Sequence, residues 1–311
     1  IHITSFQVNY TANTAIKQCT SKKLSTFIFS VPCYNQVSSW YGIVKNNLYR
    51  KRRTYMKTVI YYFSATGNSL KTAAIISQSL GADMLPMTKN KGVLCTADKI
   101  GLGFPTYFWG VPRTVGEFID KLRVSQDSPY MFAVPTYGEL HGGVLGQVDR
   151  LLVNKGLKLN YGREIKAVAN FVEEYNPRVH LAEKRLREAA GLAELAADEI
   201  DAGICNAPFH DSVLDKLFYR IYTDVKVNHD QGFHVDDTCI QCGICQNICP
   251  NHNIILKNGL LEFRHQCEHC VACINCCPQK AIQWKSATQK RNRYKHPDVT
   301  IKEIISGMQA F

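Results

Sequence analysis

From Lys57 onwards, the hydrophobic positions of this chain form short unbroken runs that alternate with helix-like patterns. An unbroken apolar run covers residues 59–63, and two further strand-like segments cover residues 99–104 and 130–134. Runs of this length without a polar alternation are typical of parallel strands that are buried on both faces. A helical pattern follows the first run, up to about Leu80. Strands and helices that alternate in this way predict an α/β domain built on a parallel sheet.

Two later helical patterns cover about residues 178–201 and 211–225. We expect the first helix to flank the sheet, with its many charged side chains forming a solvated face. We expect the second helix to dock one module on the other, through a face that carries Leu214, Leu217, Phe218, Ile221 and Tyr222. Beyond it, two apolar segments flank Asn258-Gly259, a dipeptide that favours a two-residue hairpin turn.

Residues 1–55 show no sustained periodicity, and the first methionine of the chain is Met56. They contain eight Lys or Arg and no Asp or Glu. We interpret this segment as disordered or as a non-native extension translated from upstream sequence. A targeting peptide is the alternative, since transit peptides are also basic and poor in acidic residues.

The formal net charge of +11 is concentrated in that first segment, and residues 56–311 carry a net charge of only +3. A chain without a basic stripe or a DNA-binding helix pair gives no sign of nucleic-acid binding. No apolar run reaches the ~18–20 residues that a membrane-spanning helix needs. We therefore expect no nucleic-acid partner, no membrane span and a cytoplasmic location.

Eight cysteines near the C-terminus follow one spacing twice. The two copies are Cys239, Cys242, Cys245, Cys249 and Cys267, Cys270, Cys273, Cys277. Both copies read C-x2-C-x2-C-x3-C-P, and the second lies 28 residues after the first. This is the bacterial cysteine run that binds two [4Fe–4S] clusters.

In this kind of run the fourth ligand of each cluster comes from the other motif. We therefore assign Cys239, Cys242, Cys245 and Cys277 to one cluster, and Cys249, Cys267, Cys270 and Cys273 to the other. A zinc ribbon uses two cysteine pairs rather than two runs of four that end at a proline. Disulfides are disfavoured because 13 cysteines is an odd number in a chain without a secretion signal. We interpret Cys95, Cys205 and Cys276 as inert thiols.

The loop between the first strand and the first helix reads Ser64-Ala65-Thr66-Gly67-Asn68-Ser69. Hydroxyl groups and the backbone N–H groups of a helix N-terminus form a cradle for a phosphate. The alternative is that these polar residues only cap the helix. The loops after two later strands carry Tyr107, Trp109 and Tyr137, which could stack on a flat ring. Ligands of open α/β sheets bind where such loops gather.

The Ser64-x-Thr66-Gly67-Asn68-Ser69 motif and the Pro105-Thr106-Tyr107-x-Trp109-Gly110 loop resemble those of a flavodoxin, over about residues 57–203. The resemblance implies a doubly wound sheet of order 2-1-3-4-5 and a bound FMN. It implies that the FMN phosphate is bound by Ser64, Thr66, Gly67, Asn68 and Ser69. It also implies that the ring is lined by Thr106, Tyr107, Trp109, Gly110, Thr136, Tyr137 and Gly138. Small flavodoxins are strongly acidic and this half is not, so their usual basic partners are not assumed.

The order of the two modules, with the ending Arg293-Tyr294-x-His296-Pro297, is similar to a family of flavodoxin–ferredoxin fusions from anaerobes. The division that this implies is an extension (1–55), a flavodoxin-like domain (56–203), a helical connector (204–231), a small α+β ferredoxin domain (232–285) and a tail (286–311). The basic tail could contact an acidic redox partner. We expect it to pack against the flavodoxin-like half.

We expect this chain to transfer electrons between FMN and the two clusters, and to exchange them with redox partner proteins. Two alternatives stay open. The chain could be an FMN-dependent reductase with its own substrate, fed by the clusters, or an iron–sulfur redox sensor without catalysis. No catalytic constellation stands out. His141, near the flavin loops, is a candidate proton donor, although a loop histidine without a role is the simpler interpretation.

Overall fold

The structure is a computed structural model that describes residues 56–308. Its strands are β1 (Thr58–Tyr62), β2 (Asp83–Pro86), β3 (Leu94–Cys95), β4 (Lys99–Pro105), β5 (Arg123–Val124), β6 (Tyr130–Tyr137), β7 (Leu159–Gly162), β8 (Ile165–Lys166), β9 (Phe233–Val235), β10 (Ile254–Lys257), β11 (Leu260–Phe263) and β12 (Ile282–Trp284). Its α-helices are α1 (Asn68–Leu80), α2 (Arg113–Lys121), α3 (Val144–Val153), α4 (Ala182–Asp201), α5 (Val213–Lys226), α6 (Ile244–Ile248), α7 (Ala272–Asn275) and α8 (Ile301–Met308). Short 3₁₀ turns cover Met87–Lys89 and Val179–Leu181. The interpretation of residues 1–55 lies outside the described residues.

A parallel sheet forms the centre of the first half of the described chain. Its strand order is β2-β1-β4-β6-β7, and β8 pairs with the carboxyl end of β6. Numbered by these strands alone, the order is 2-1-3-4-5, the doubly wound arrangement of flavodoxin-like folds. All five residues of β1 are buried, as the unbroken apolar run predicts. The expected fold class is therefore confirmed.

Helices cover both faces of this sheet. On one face, the alanines of α4 at positions 189, 193, 196 and 197 pack with Ala73 and Ile76 of α1 against β1 and β6. On the other face, α2 and α3 contribute Val115, Phe118, Val148 and Leu152. The buried positions of each helix recur at three- and four-residue intervals, which places them on one stripe. Small alanine side chains allow α4 to approach α1 closely.

The second half of the described chain is built from short paired strands. Strand β9 pairs antiparallel with β12, and β10 pairs antiparallel with β11. Asn258 and Gly259 connect β10 to β11 with φ angles of 51° and 81°, so the predicted Asn-Gly hairpin is confirmed. A small core that includes Phe233, Ile274 and Trp284 holds these strands together.

Helix α5 was expected to join the two halves through its apolar face, and the structure shows this for part of that face. None of its residues is buried, and Leu214, Leu217 and Phe218 are 49–63% exposed. The expected docking is made by part of this face: the rings of Phe218 and Tyr222 meet Trp109 and Phe108. Next to Tyr222, the Tyr219 hydroxyl adds a polar contact and donates to the carbonyl of Val111 over 2.7 Å.

The C-terminal residues pack against the flavodoxin-like half, as expected. Ile304 and Met308 of α8 are buried in the core that fills one face of the sheet. The Thr88 hydroxyl donates to the carbonyl of Gly307 over 3.1 Å. Across residues 56–308, every helix is too short or too polar to cross a lipid bilayer.

Close packing at Gly101 in β4 gives a first prediction. A Cβ atom at this position would overlap the ring of Phe132 on the neighbouring strand. We expect Gly101→Ala to lower the free energy of unfolding by about 1–3 kcal/mol, the usual cost of overpacking. Urea or thermal unfolding measures this.

Gly116→Ala is the matched control, because a Cβ atom there meets nothing within 4 Å. It lies within α2, where alanine is the better helix former by about 1 kcal/mol. Equal destabilisation by both substitutions would contradict the packing described for β4 and β6.

Candidate functional site

The eight cysteines of the repeated motif gather in two places. One small cavity is lined by Cys239, Cys242, Cys245 and Cys277. The other is lined by Cys249, Cys267, Cys270 and Cys273. Each quartet therefore takes three cysteines from one motif and the fourth from the other, which is the crossed set that the spacing predicts.

The backbone repeats together with the sequence. Positive φ angles occur at Gln241 and His269, at Gly243 and Val271, and at His252 and Lys280, and each pair is separated by the same 28 residues. These left-handed residues turn each loop so that its cysteines face inward. Valine in this conformation is strained, by about 1–3 kcal/mol. Glycine occupies the equivalent position of the first motif, so this position is strained only in the second loop.

Backbone N–H groups point at three of the sulfur atoms. The N–H groups of Asn253, His269 and Ala281 donate to Cys249, Cys267 and Cys277 Sγ, each over 3.3 Å. Desolvation, followed by the neighbouring thiolates, raises the pKa of the Cys270 and Cys273 thiols well above the usual value. Positive iron ions would reverse that effect and hold thiolates. The donor set, four cysteines around each cavity, fits a [4Fe–4S] cluster.

Among residues 56–308, no three His, Cys, Asp or Glu side chains are arranged to hold a single metal ion. The four cysteine sulfurs around one zinc ion each lie about 2.3 Å from the same metal. The four sulfurs around a cubane cluster each bind a different iron ion, so they are further from one another than the ligands of a single zinc ion.

A larger cavity of about 340 Å³ lies at the carboxyl edge of the parallel sheet. Its volume falls within the ~300–1,000 Å³ of small-molecule and cofactor sites. Its lining includes ten of the twelve residues predicted for FMN: Ser64, Thr66, Asn68, Ser69, Thr106, Tyr107, Trp109, Thr136, Tyr137 and Gly138. Gly67 and Gly110 do not line it. A Cβ at Gly110 would instead meet Gln147 and Tyr219, behind the cavity wall.

The loop of residues 64–69, here called the phosphate loop, lies at one end of this cavity. Gly67 has a φ of 98°, a conformation that favours glycine. Its N–H is bonded to Ser64 Oγ over 3.2 Å, and the Ser69 and Thr136 hydroxyls are 2.7 Å apart. The loop leads directly into α1, so the N-terminal N–H groups of that helix face the same end of the cavity.

Two hydroxyl groups provide a test of whether the cavity fits a polar ligand. Thr106 Oγ1 and the Tyr107 hydroxyl are buried and have no hydrogen-bond partner. A buried hydroxyl without a partner costs about 1–3 kcal/mol. Both residues line the cavity, so a flavin ring with polar edges could satisfy them.

An aromatic turn forms the rim of the cavity. Tyr107 and Gly110 are bridged by two backbone hydrogen bonds, which leaves Phe108 and Trp109 as a two-residue turn with φ angles of 49° and 63°. Bulky residues adopt this conformation only where packing holds them. The Phe108 ring stacks on Tyr222 of α5 at 5.7 Å, and the Trp109 ring meets the same tyrosine edge-on at 4.7 Å.

The cavity at the sheet edge and one cysteine quartet share a wall. His269, Cys270 and Val271 line the large cavity, and Cys270 also lines the cavity of the second quartet. The first quartet has no member in the large cavity. The second quartet is therefore proximal to the cavity, and the first quartet is distal.

Buried polar groups hold this shared wall in place. Glu268 Oε1 accepts the Thr114 backbone N–H over 2.9 Å, and Glu268 Oε2 accepts the Thr114 hydroxyl over 2.5 Å. Thr114 lies in the first turn of α2, where a carboxylate is favoured. Desolvation raises the pKa of the Glu268 carboxyl, and the hydrogen bonds from Thr114 oppose that rise. A carboxylate beside the cysteines thus caps a helix of the other half.

His269 forms the second buried contact across the two halves. Its Nδ1 lies 2.8 Å from Glu173 Oε1, and its Nε2 donates to the carbonyl of His229 over 3.1 Å. The side chains of His269 and Glu173 are both fully buried. Lys226 of α5 lies 3.4 Å from the same carboxylate, so the connector, the sheet and the cysteine loop meet here.

Sequence reasoning missed part of the lining. Asn170, Phe171 and Tyr175 follow β8 at the carboxyl edge of the sheet and line the cavity. Their position after a strand was the available signal, but β8 has only two residues and no apolar run. His269 and Val271 carried no such signal, because they reach the cavity only through the packing of the two halves. His141 does not line the cavity, and its Nδ1 lies 2.9 Å from Glu164 Oε1.

Comparisons with known proteins give short or distant similarities. No family model matches the chain. Pyruvate synthase subunit PorD of Thermotoga maritima is 34% identical over 55 residues, which are 17% of this chain and 56% of that protein. The chain thus spans about half the length of the curated relative it matches.

Solved structures with similar parts include a flavodoxin from Megasphaera elsdenii, 17% identical over 45% of this chain and 98% of that one, with a TM-score of 0.31. A putative flavoprotein from Bacteroides uniformis is 17% identical over 35% and 90%, with a TM-score of 0.29. The flavodiiron protein from Giardia intestinalis is 12% identical over 56% and 43%, with a TM-score of 0.25. Scores of this size do not establish a common fold, so the fold class rests on the strand order described above.

The contact between Glu268 and Thr114 gives a second prediction. Thr114→Val removes the hydroxyl donor and leaves a buried carboxylate short of one hydrogen bond. We expect the free energy of unfolding to fall by about 1–3 kcal/mol, measured by chemical denaturation of the full chain. Thr114→Ser is the control, because serine keeps the hydroxyl. If the valine and serine variants are equally stable, the hydroxyl contributes nothing to this contact.

Proposed function

We propose that this chain is an electron-transfer protein that couples one FMN, in the cavity at the sheet edge, to two [4Fe–4S] clusters. The observation that carries the proposal is the double position of Cys270, which lines both the large cavity and one cysteine quartet. A flavin exchanges one or two electrons and each cluster exchanges one, so the combination connects two-electron to one-electron chemistry.

The chain supplies different groups to the two ends of the flavin. The phosphate loop offers hydroxyls and the N-terminus of α1 to a phosphate. The aromatic turn of Phe108 and Trp109, together with Tyr137, offers flat surfaces to a ring. Thr106 and Tyr107 each keep one hydroxyl free to bond polar atoms at the ring edge. The lining accounts for both parts of FMN.

The order of the cofactors follows from the positions of the two quartets. Cys249, Cys267, Cys270 and Cys273 would hold the cluster next to the flavin. Cys239, Cys242, Cys245 and Cys277 would hold the cluster further from it. Cys242 is exposed and the neighbouring Ile240 is 59% exposed. A redox partner protein would therefore exchange electrons at the distal quartet.

A flavin-dependent reductase is the second candidate function, and one observation favours it. Another cavity, of about 550 Å³, lies on the far side of Tyr107 and Phe108, which line both cavities. Arg113 and Asn228 contribute polar groups to its wall. A small substrate bound there would be separated from the flavin only by the aromatic turn. Turnover of a small molecule by the loaded protein, without any partner protein, would favour this function over a carrier.

The cofactor content is the direct test of the proposal. Protein purified without oxygen should contain about eight iron ions per chain, for two [4Fe–4S] clusters, and one FMN. Cys242→Ser and Cys270→Ser should each lower the iron content, because each removes a ligand. Cys205→Ser should not, since Cys205 belongs to neither quartet. Zinc in place of iron, or iron without flavin, would contradict the proposal.

The proximal and distal assignment predicts different losses in the two variants. With the flavin reduced first, rapid-freeze EPR spectroscopy of Cys242→Ser should still detect transfer from flavin to the proximal cluster. In Cys270→Ser the damaged proximal cluster should slow transfer from the flavin to the distal cluster. Cys205→Ser should transfer electrons at the rate of the unmodified chain. If instead Cys242→Ser were the variant in which the flavin no longer passes electrons to a cluster, the order of the clusters would be the reverse of the one proposed.

A further inference from the structure

The C-terminal residues 290–308, here called the C-terminal strap, lie against the back of the phosphate loop. The Tyr294 hydroxyl donates to Asn68 Oδ1 over 2.7 Å. The His296 backbone N–H donates to the carbonyl of Thr66 over 2.8 Å. Tyr294 and His296 are 4% and 5% exposed. Two residues of the phosphate loop are therefore held by a segment more than 220 residues away in the chain.

The strap also constrains Gly67. A Cβ atom at this glycine would lie 2.8 Å from His296 Cβ and 3.0 Å from Val299 Cβ. Lys71, one turn into α1, forms a 3.2 Å ion pair with Asp298 of the strap. The strap thus follows the loop and the start of the helix on the side away from the cavity.

The other side of the phosphate loop is held from the end of the sheet. Asn68 Nδ2 donates to the carbonyl of Val168 over 3.0 Å. Asn170 Nδ2 donates to Thr66 Oγ1. Both ends of the Asn68 amide are therefore occupied, and the side chain has one orientation only.

Asn275 of α7 joins the two sides of the loop. Its Oδ1 accepts the Tyr294 backbone N–H over 3.0 Å, and its Nδ2 donates to the carbonyl of Asn170 over 3.1 Å. The hydrogen bonds therefore run from Asn68 to Tyr294, Asn275 and Asn170, and back to Thr66. Helix α7 also carries Cys273 of the proximal quartet. This ring of contacts links the phosphate loop to the cysteine loop by a route separate from the cavity wall.

We infer that Tyr294 is a positioning residue for the phosphate loop, which it holds in its binding conformation through Asn68. The inference rests on the proposed function, because it assumes that the loop binds the phosphate of FMN. A loop that is ordered before binding loses less entropy when the ligand arrives, and binds more tightly for that reason. Without the Tyr294 hydroxyl, Asn68 Oδ1 would be buried without a partner, and the side chain would leave this orientation.

The phosphate provides a readout that general stability does not change. FMN and riboflavin share the ring and the ribityl chain and differ only in the phosphate. We expect Tyr294→Phe, in the full chain with its clusters, to raise the dissociation constant for FMN about tenfold, the loss expected for one buried hydrogen bond. The constant for riboflavin should stay unchanged. Anaerobic calorimetric titration with each flavin measures both constants.

Tyr130→Phe is the matched control. The Tyr130 hydroxyl donates to the carbonyl of Ile204, away from the cavity, so its removal should leave the ratio of the two constants as it is. Asn275→Ala should raise the dissociation constant for FMN relative to that for riboflavin, as Tyr294→Phe does. In the double variant with Tyr294→Phe, the loss of binding free energy for FMN should be smaller than the sum of the losses in the two single variants, because the two residues belong to one hydrogen-bond network.

The outcomes separate this inference from the proposed function. A chain that prefers FMN to riboflavin, and keeps that preference unchanged in Tyr294→Phe, would overturn the inference and leave the proposed function intact. Equal weakening of both flavins would also overturn it, since the effect would then lie outside the phosphate loop. Unmodified protein that binds neither flavin would overturn both.

Discussion

The loop of residues 267–271 contacts both the proximal cysteine quartet and the flavodoxin-like half, and the arrangement of the site depends on these two sets of contacts. Cys267 and Cys270 face the other cysteines of their quartet. Glu268 faces α2 and His269 faces Glu173, both in the flavodoxin-like half. Because successive side chains of a tight loop point in different directions, one short segment can bind a cluster and form the wall of a neighbouring cavity. A looser loop would separate the two sites.

Such a loop is costly by itself. Val271 is held at a φ of 52°, and Glu268 and His269 are polar side chains buried at the junction of the two halves. Each cost is offset locally. Val271 packs in the core of Phe233, Ile274 and Trp284, Glu268 accepts two hydrogen bonds from Thr114, and His269 has an acceptor at each ring nitrogen. The strained turn of Phe108 and Trp109 is held in the same way by the aromatic rings of α5. Strain of this kind persists only where the surrounding structure determines the conformation.

The two halves are joined at more than one place. The cysteine loop contacts α2 and Glu173, the connector helix α5 contacts the aromatic turn, and the C-terminal strap returns to the phosphate loop. Each contact uses residues far apart in sequence, and each lies beside a wall of the sheet-edge cavity or beside the phosphate loop. Both halves therefore shape the cavity, although most of its lining comes from the loops that follow the strands of the sheet.

Patterns that depend on nearby residues could be read from the sequence alone. Unbroken apolar runs predict the buried strands, because a strand that is covered on both faces favours apolar side chains at nearly every position. The 28-residue cysteine repeat predicts the crossed quartets, since each seven-residue loop supplies three ligands and the fourth comes from the other motif. The polar and aromatic loops that follow the strands predict the cavity, because the carboxyl ends of parallel strands lie at the same edge of the sheet. Only the tertiary structure decided which quartet meets the cavity, that Leu214 and Leu217 of α5 stay exposed, and that Tyr294 reaches Asn68. These contacts join segments up to 226 residues apart, and no local pattern encodes them, because they depend on how the two halves pack against each other.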